Sequence, residues 1–148
     1  MRIAGVIPVI IDTGVFAAGV FWRKEAHHCV NAWLQGMMAL VVSGPIYHEY
    51  ERTLLKIKAA YGFRADVGTW LALVQDRGEW VQPCPLTQPV CRDPKDDIMI
   101  EAALAAGAKT IIARDADLTV LEKPFGIRIL TPRAWLATLP RADRRKLQ

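Results

Sequence analysis

The chain has 148 residues, of which 52% are hydrophobic and 23% charged, and it carries a formal net charge of +4. That length suits one domain with a core of useful size, and the absence of any run of 18 apolar residues excludes a membrane-spanning helix. A basic balance is compatible with a polyanionic partner but does not demand one.

Taken in chain order, the N-terminal residues 1–12 are apolar without a long charged leader or a small-residue cleavage site. They read as a first strand rather than a signal peptide. Within them, residues 6–11 form a run rich in β-branched side chains, as a buried parallel strand requires, although Pro8 cannot donate to a ladder. Asp12, Thr13 and Gly14 read as the turn at its end. Residues 15–22 and 26–34 read as helices, the second stopped by Gly36. Residues 40–42 are a second strand. Ser43 then caps a helix with Pro45 in its first turn, and Ile46, Tyr50, Thr53, Leu54 and Ile57 make its apolar stripe. Residues 65–75 place Val67, Trp70, Leu71 and Val74 on one face, with Gly78 following. Residues 80–84 read as a strand and 83–89 as a Pro-rich loop.

From Arg92 the chain reads Arg-Asp-Pro-Lys-Asp-Asp and then an Ala-rich apolar helix to Ala106, with Asp96 or Asp97 as its N-cap and Gly107 as its stop. Only Glu101 is polar within it, so the helix is expected to be buried nearly all round. Thr110, Ile111 and Ile112 form a strand that ends at Asp115. A short helix over 116–121, a last strand over 127–130 and a helix from Thr131–Pro132 to Leu139 follow. Residues 1–140 read as a single domain and 141–148 as a loose basic tail.

Strands alternating with helices imply an α/β fold with a mostly parallel sheet flanked by helices. Ligands in such sheets bind beyond the carboxyl ends of the strands, at the switch point. Asp12 and Asp115 each follow a strand, Asp96 starts the helix leading into the later one, and Glu49 sits on the shoulder of a buried helix face. Taken singly, Asp93, Asp96, Asp97, Asp115 and Asp117 are ordinary caps and turn formers, and Glu49 is an ordinary salt-bridged surface acid. Taken together, Asp12, Glu49, Asp96 and Asp115 would repel one another in one crevice unless a hard divalent cation joined them. Cys29, Cys84 and Cys91 have no metal-ligand spacing and read as reduced thiols in a cytoplasm. His27, His28 and His48 read as surface or hydrogen-bonded residues, and no glycine loop of phosphate-cradling spacing is present.

Five segments carry a resemblance: a strand ending in Asp12-Thr13; Glu49 in the helix after Ser43-Gly-Pro-Ile; Asp93-Pro-Lys-Asp96-Asp97; Ala113-Arg-Asp115-Ala-Asp117-Leu118; and Ile127-Arg-Ile-Leu-Thr-Pro132. In this order the chain resembles PIN domains over almost its whole length, and within them the VapC-like toxin components of type II toxin–antitoxin pairs. The resemblance implies a PIN-like three-layer fold and a Mg2+- or Mn2+-dependent endoribonuclease leaving 3′-hydroxyl and 5′-phosphate ends. It implies Asp12, Glu49, Asp96 and Asp115 as the catalytic acids. Asp12 and Asp96 would hold metal directly, and Asp115 and Glu49 would hold water or a second ion. Asp97, Asp93, Asp117 and Thr13 stand as supporting or alternative groups, Asp97 because a one-residue slip would exchange it with Asp96. Arg92, Lys95, Arg114 and the tail arginines stand as contacts to RNA phosphate. The implied partners are RNA, a cognate antitoxin and a second copy of the chain, with no membrane.

Two positions depart from the family pattern. Gly14 stands where Asn or Ser is usual, and Ala113 where Thr is common; both remove a polar group that would support the acids. They keep alive a catalytically degenerate PIN fold that only binds protein or RNA. A phosphoryl-transfer domain with a strand-end aspartate as acceptor is the other rival, weakened because position 14 is Gly and no lysine ends a late strand.

Overall fold

The computed structural model describes residues 5–114, 121 and 123–148, with the backbone alone of Lys95. Asp115, Asp117 and the helix expected over 116–121 lie outside the described residues. Five strands form one sheet: β1 (Pro8–Ile11), β2 (Ala39–Val42), β3 (Glu79–Trp80), β4 (Thr110–Ile112) and β5 (Arg128–Leu130). The helices are α1 (Thr13–Phe21), α2 (Glu25–Leu34), α3 (Gly44–Tyr61), α4 (Val67–Arg77), α5 (Pro94–Ala106), α6 (Pro132–Ala137) and α7 (Arg141–Arg145), with a short 3-10 turn at Pro124–Gly126. The strand order is β3-β2-β1-β4-β5, and every pairing is parallel.

β1 is central because its sequence allows burial on both faces: all four residues of Pro-Val-Ile-Ile are buried. Pro8 is tolerated as the first residue of the strand, where no ladder donor is lost from the middle. The chain leaves β1 toward β2 and β3, then returns to place β4 on β1's other side. The switch point therefore lies at the carboxyl ends of β1 and β4. There the Asp12 N–H donates to the Ile112 carbonyl at 2.9 Å, joining the two strand ends.

The helices pack through aromatic and small residues. Phe16 of α1 stacks on Tyr50 of α3, with centroids 4.2 Å apart and rings 5° from parallel. Gly19 allows α1 and α2 to touch: a Cβ there would lie 2.4 Å from a Val30 methyl and 2.7 Å from the Ala26 carbonyl oxygen. His27 answers from α2, its Nδ1 lying 2.8 Å from the Gly19 carbonyl, so this histidine is a satisfied interhelical contact. Ser43 caps α3, accepting the Ile46 N–H, and Asp66 caps α4, accepting from Thr69. The Asp66 carboxyl is held below its ordinary value chiefly by the Thr69 hydroxyl.

Several expected boundaries shift. α1 begins at Thr13, so Gly14 lies in a helical first turn rather than a free turn. α5 begins at Pro94, which puts Asp96 and Asp97 inside the first turn instead of at the N-cap. Strand character stops at Trp80, short of Cys84, because Pro83 and Pro85 cannot continue a ladder. α6 ends at Ala137. Residues 141–148 are not loose: Arg141–Arg145 are helical, Leu147 is 5% exposed within the core, and Gln35 Nε2 donates to the Lys146 carbonyl at 3.2 Å. One apolar side chain in a charged segment anchors it.

Burial also acts on the thiols. Cys29 is buried, and its thiol is pushed up from 9.0 to about 12, mainly by burial; Arg114 opposes the shift and Glu25 adds to it. A raised folded pKa gives stability that is intact below about pH 9 and lost as pH climbs through 9 toward 12, roughly 4 kcal/mol over the full window. Burial and the Asp12 charge push the Tyr50 hydroxyl upward as well, which adds loss of the same sign at still higher pH. Cys29→Ala should be less stable than the parent at neutral pH by roughly 1 kcal/mol through lost packing. Urea unfolding in steps from neutral to strongly alkaline pH should show that gap close and reverse; a constant gap would contradict the buried thiol.

Candidate active site

A cavity of about 450 Å³ opens at the switch point, lined by Asp12, Thr13, Gly14, Val15, Glu49, Thr53, Asp93, Asp96, Met99 and Arg114. Each acid is delivered by a different piece of backbone. Asp12 is the residue between β1 and α1, and it is 7% exposed. Its side chain makes no cap bond to α1, while its carbonyl accepts the Phe16 N–H at 2.9 Å. Asp96 sits in the first turn of α5 and is also 7% exposed. Its Oδ2 is buried with no hydrogen bond from the described residues. Glu49 comes from α3, on the flank of the stripe Ile46, Tyr50 and Leu54, all of which are buried.

Glu49 meets both descriptions given to it by sequence. It lines the cavity, and its Oε1 lies 2.7 Å from Arg52 Nη2 one turn along α3. The arginine side chain is largely exposed, so the pair is solvent-screened and costs little to open. Asp93 stands exposed at the cavity mouth.

Asp97, one residue beyond Asp96, turns elsewhere. Its Oδ1 accepts the Cys91 N–H at 2.8 Å and the Val90 N–H at 3.3 Å, fastening the loop that leads into α5. A step of one residue rotates a helix by about 100°, which separates the two neighbours. Among the named phosphate contacts, Arg114 lines the cavity and Arg92 is exposed outside that lining. The Lys95 side chain, Asp115 and Asp117 lie outside the described residues. The tail arginines belong to or adjoin α7.

Two residues of α3, one lining the cavity and one buried behind it, carry polar atoms that the sequence had placed only in an apolar pattern. Thr53 stands one turn after Glu49 and brings a hydroxyl to the cavity. Tyr50, buried beside Glu49, donates to the Ile11 carbonyl and so ties α3 to the end of β1 just before Asp12. Burial first, and the Asp12 charge second, push its hydroxyl well above the usual 10, so it stays a neutral donor. A tyrosine within an aliphatic stripe is the only sequence signal for such a tie.

The donor set fits a hard cation. The cavity offers carboxylates and threonine hydroxyls, and among the described residues no His or Cys lines it. Among the described residues no three acids, histidines or cysteines form a ready-made metal cage. Mg2+ needs less, since it binds through one or two carboxylates and keeps several waters. Gly14 is open: a Cβ there would lie 3.8 Å from Asp12 Oδ2, an ordinary contact, so the backbone does not require glycine. Ala113 is fully buried, leaving no hydroxyl at that position.

A family model described as PIN domain matches residues 8–117. No curated protein matches the chain. Among solved structures, one similar chain is the crystal structure of VapC20 from Mycobacterium tuberculosis, described as a sarcin-ricin loop cleaving toxin. The identity is 15%, the match covers 76% of this chain and 93% of that one, and the TM-score is 0.49.

Proposed function

The chain belongs to the PIN domain family, a family of nucleases, and we propose that it is a divalent-metal-dependent endoribonuclease, the toxin of a toxin–antitoxin pair. The observation that carries this reading is the cavity that gathers Asp12, Glu49 and Asp96 from three separate elements at the switch point of the sheet. Asp12 and Asp96, the two most buried acids among the described residues, would hold Mg2+ or Mn2+, and Asp115 would join them as the fourth acid of the family pattern. When bound, the ion activates water and offsets charge developing on the phosphate.

The chain's own residues supply the rest. Tyr50 and the Asp12 N–H fix the end of β1, which orients Asp12. Glu49 would orient the attacking water once released from Arg52. Arg114 is placed at the rim to hold a substrate phosphate by charge-assisted hydrogen bonds. Met99 and Val15 keep the floor apolar, which strengthens the interactions above it.

Cleavage of single-stranded RNA in Mg2+ or Mn2+, with and without EDTA, tests the reading. Cleavage that EDTA abolishes supports it. A degenerate binding module gives no cleavage, and cleavage that persists in EDTA removes the metal from the reaction.

Gly14→Asn adds an amide beside Asp12 where the structure leaves room. Metal affinity or cleavage rate is expected to rise by up to about tenfold. Metal titration of both proteins checks this, and equal affinities and rates would show that the open position has no bearing on the acids. No helix of the described residues is long and apolar enough to cross a membrane.

A further inference from the structure

Beside the acid cavity lies a second one of about 270 Å³, lined by Ala18, Trp22, Lys24, Ala26 and Arg114. Arg114 lines both, so the two cavities adjoin at one residue. Trp22 is 40% exposed and is the wall of the second cavity. Behind it stands an aromatic group from another part of the chain. The Trp22 ring is edge-on to Phe63 at 5.2 Å and to Tyr61 at 6.0 Å, and Tyr61 stacks on Phe63 at 5.3 Å. These contacts hold the indole in place.

We propose that this second cavity is a nucleotide subsite of the same enzyme, in which an unpaired base of the RNA stacks on Trp22 while Lys24 and Arg114 hold its phosphate. The inference rests on the ribonuclease reading and extends it to a preference for single strands. An indole held by its neighbours presents a face that any base can stack on. Two cations on the rim match the charge of a sugar-phosphate backbone, which an apolar protein segment would not need. The volume is just below the roughly 300 Å³ at which drug-sized pockets begin, which suits one flat group. Sharing Arg114 places the base in the cavity adjoining the acids, as a neighbouring nucleotide of one strand requires. A duplex keeps its bases stacked inside and cannot use the indole.

Short single-stranded RNA in Mg2+ provides the test, with the Asp12→Asn protein used for binding so that the probe survives. Tryptophan emission should fall on titration, and the fall should vanish in Asp12→Asn with Trp22→Phe, which retains affinity because phenylalanine still stacks. Trp22→Ala should weaken binding, and raise KM in the otherwise unaltered enzyme, by roughly ten- to hundredfold. Tyr61→Ala, at a more exposed position, should show a smaller change of the same sign, and duplex RNA should leave the Trp22 emission unchanged. If the unaltered protein cuts RNA while Trp22→Ala shows the same KM, the subsite is overturned and the ribonuclease reading stands. The aromatic group would then serve a protein partner or the fold. If the unaltered protein neither cuts nor binds RNA, both fall together.

Discussion

Asp12→Asn and Asp96→Asn should each reduce metal-dependent RNA cleavage by about a thousandfold or more while leaving the fold intact. Asparagine keeps the shape of the side chain and loses the charge that would hold a divalent ion. Removal of one well-placed electrostatic group at a reacting centre costs about 100- to 1000-fold even without a metal. The fold should survive for reasons visible in the structure. The Asp12 side chain does not cap α1, and the contacts that fix its backbone are the N–H to Ile112 and the carbonyl to Phe16. Asp97→Asn is the control, because its oxygens fasten the loop at Val90 and Cys91. It should disturb stability more than chemistry. Single-turnover cleavage with circular dichroism on each protein checks the set; full activity in either main variant would remove that residue from the site.

Thermal melts should separate a metal site from a cluster of ordinary helix-start acids. An ion that binds the folded chain alone adds about 2.7 kcal/mol at a hundredfold excess over its dissociation constant. For a chain of this size that is a rise of roughly 5–10 °C. Asp96→Asn should show little of it. In EDTA the two proteins should melt close together, because two effects of Asp96 oppose each other. Its charge crowds the acids of the cavity, which disfavours folding. The same charge sits in the first turn of α5, where the helix dipole favours it by about 0.3–1 kcal/mol. The diagnostic is therefore the response to Mg2+ at constant ionic strength. Equal shifts in parent and variant would show that the acids hold no ion.

The parallel sheet was legible because β1 and β4 are short apolar runs that each end where acids begin, and Gly and Ser mark the helix ends. The pairing of Asp12 with Asp96 was legible only through that topology, since a long stretch of chain separates them. Other features depend on rotation and packing that periodicity does not encode. Asp96 and Asp97 share a helical turn, so their different directions come from the exact start of α5, which lies at Pro94, three or four residues earlier than expected. Tyr50 looked like one more member of an apolar stripe because its hydroxyl finds the Ile11 carbonyl only in three dimensions. Trp22 lies on a segment far from Tyr61 and Phe63, and nothing in the spacing foretells that it meets them. Leu147 was hidden by the charges around it, although a single buried leucine suffices to fasten α7.

The bond from the Asp12 N–H to the Ile112 carbonyl has a bearing on biosynthesis. Asp12 leaves the ribosome 100 residues before Ile112, the neighbour that completes its strand. Until β4 pairs with β1, the central strand has one open edge, although α5 can already pack on β1 and β2. Asp96 lies in α5, well after Asp12 and Glu49 in the chain, so the three acids stay apart until α5 is made. A nascent chain that has not reached α5 therefore carries Asp12 and Glu49 without the third acid that lines their cavity.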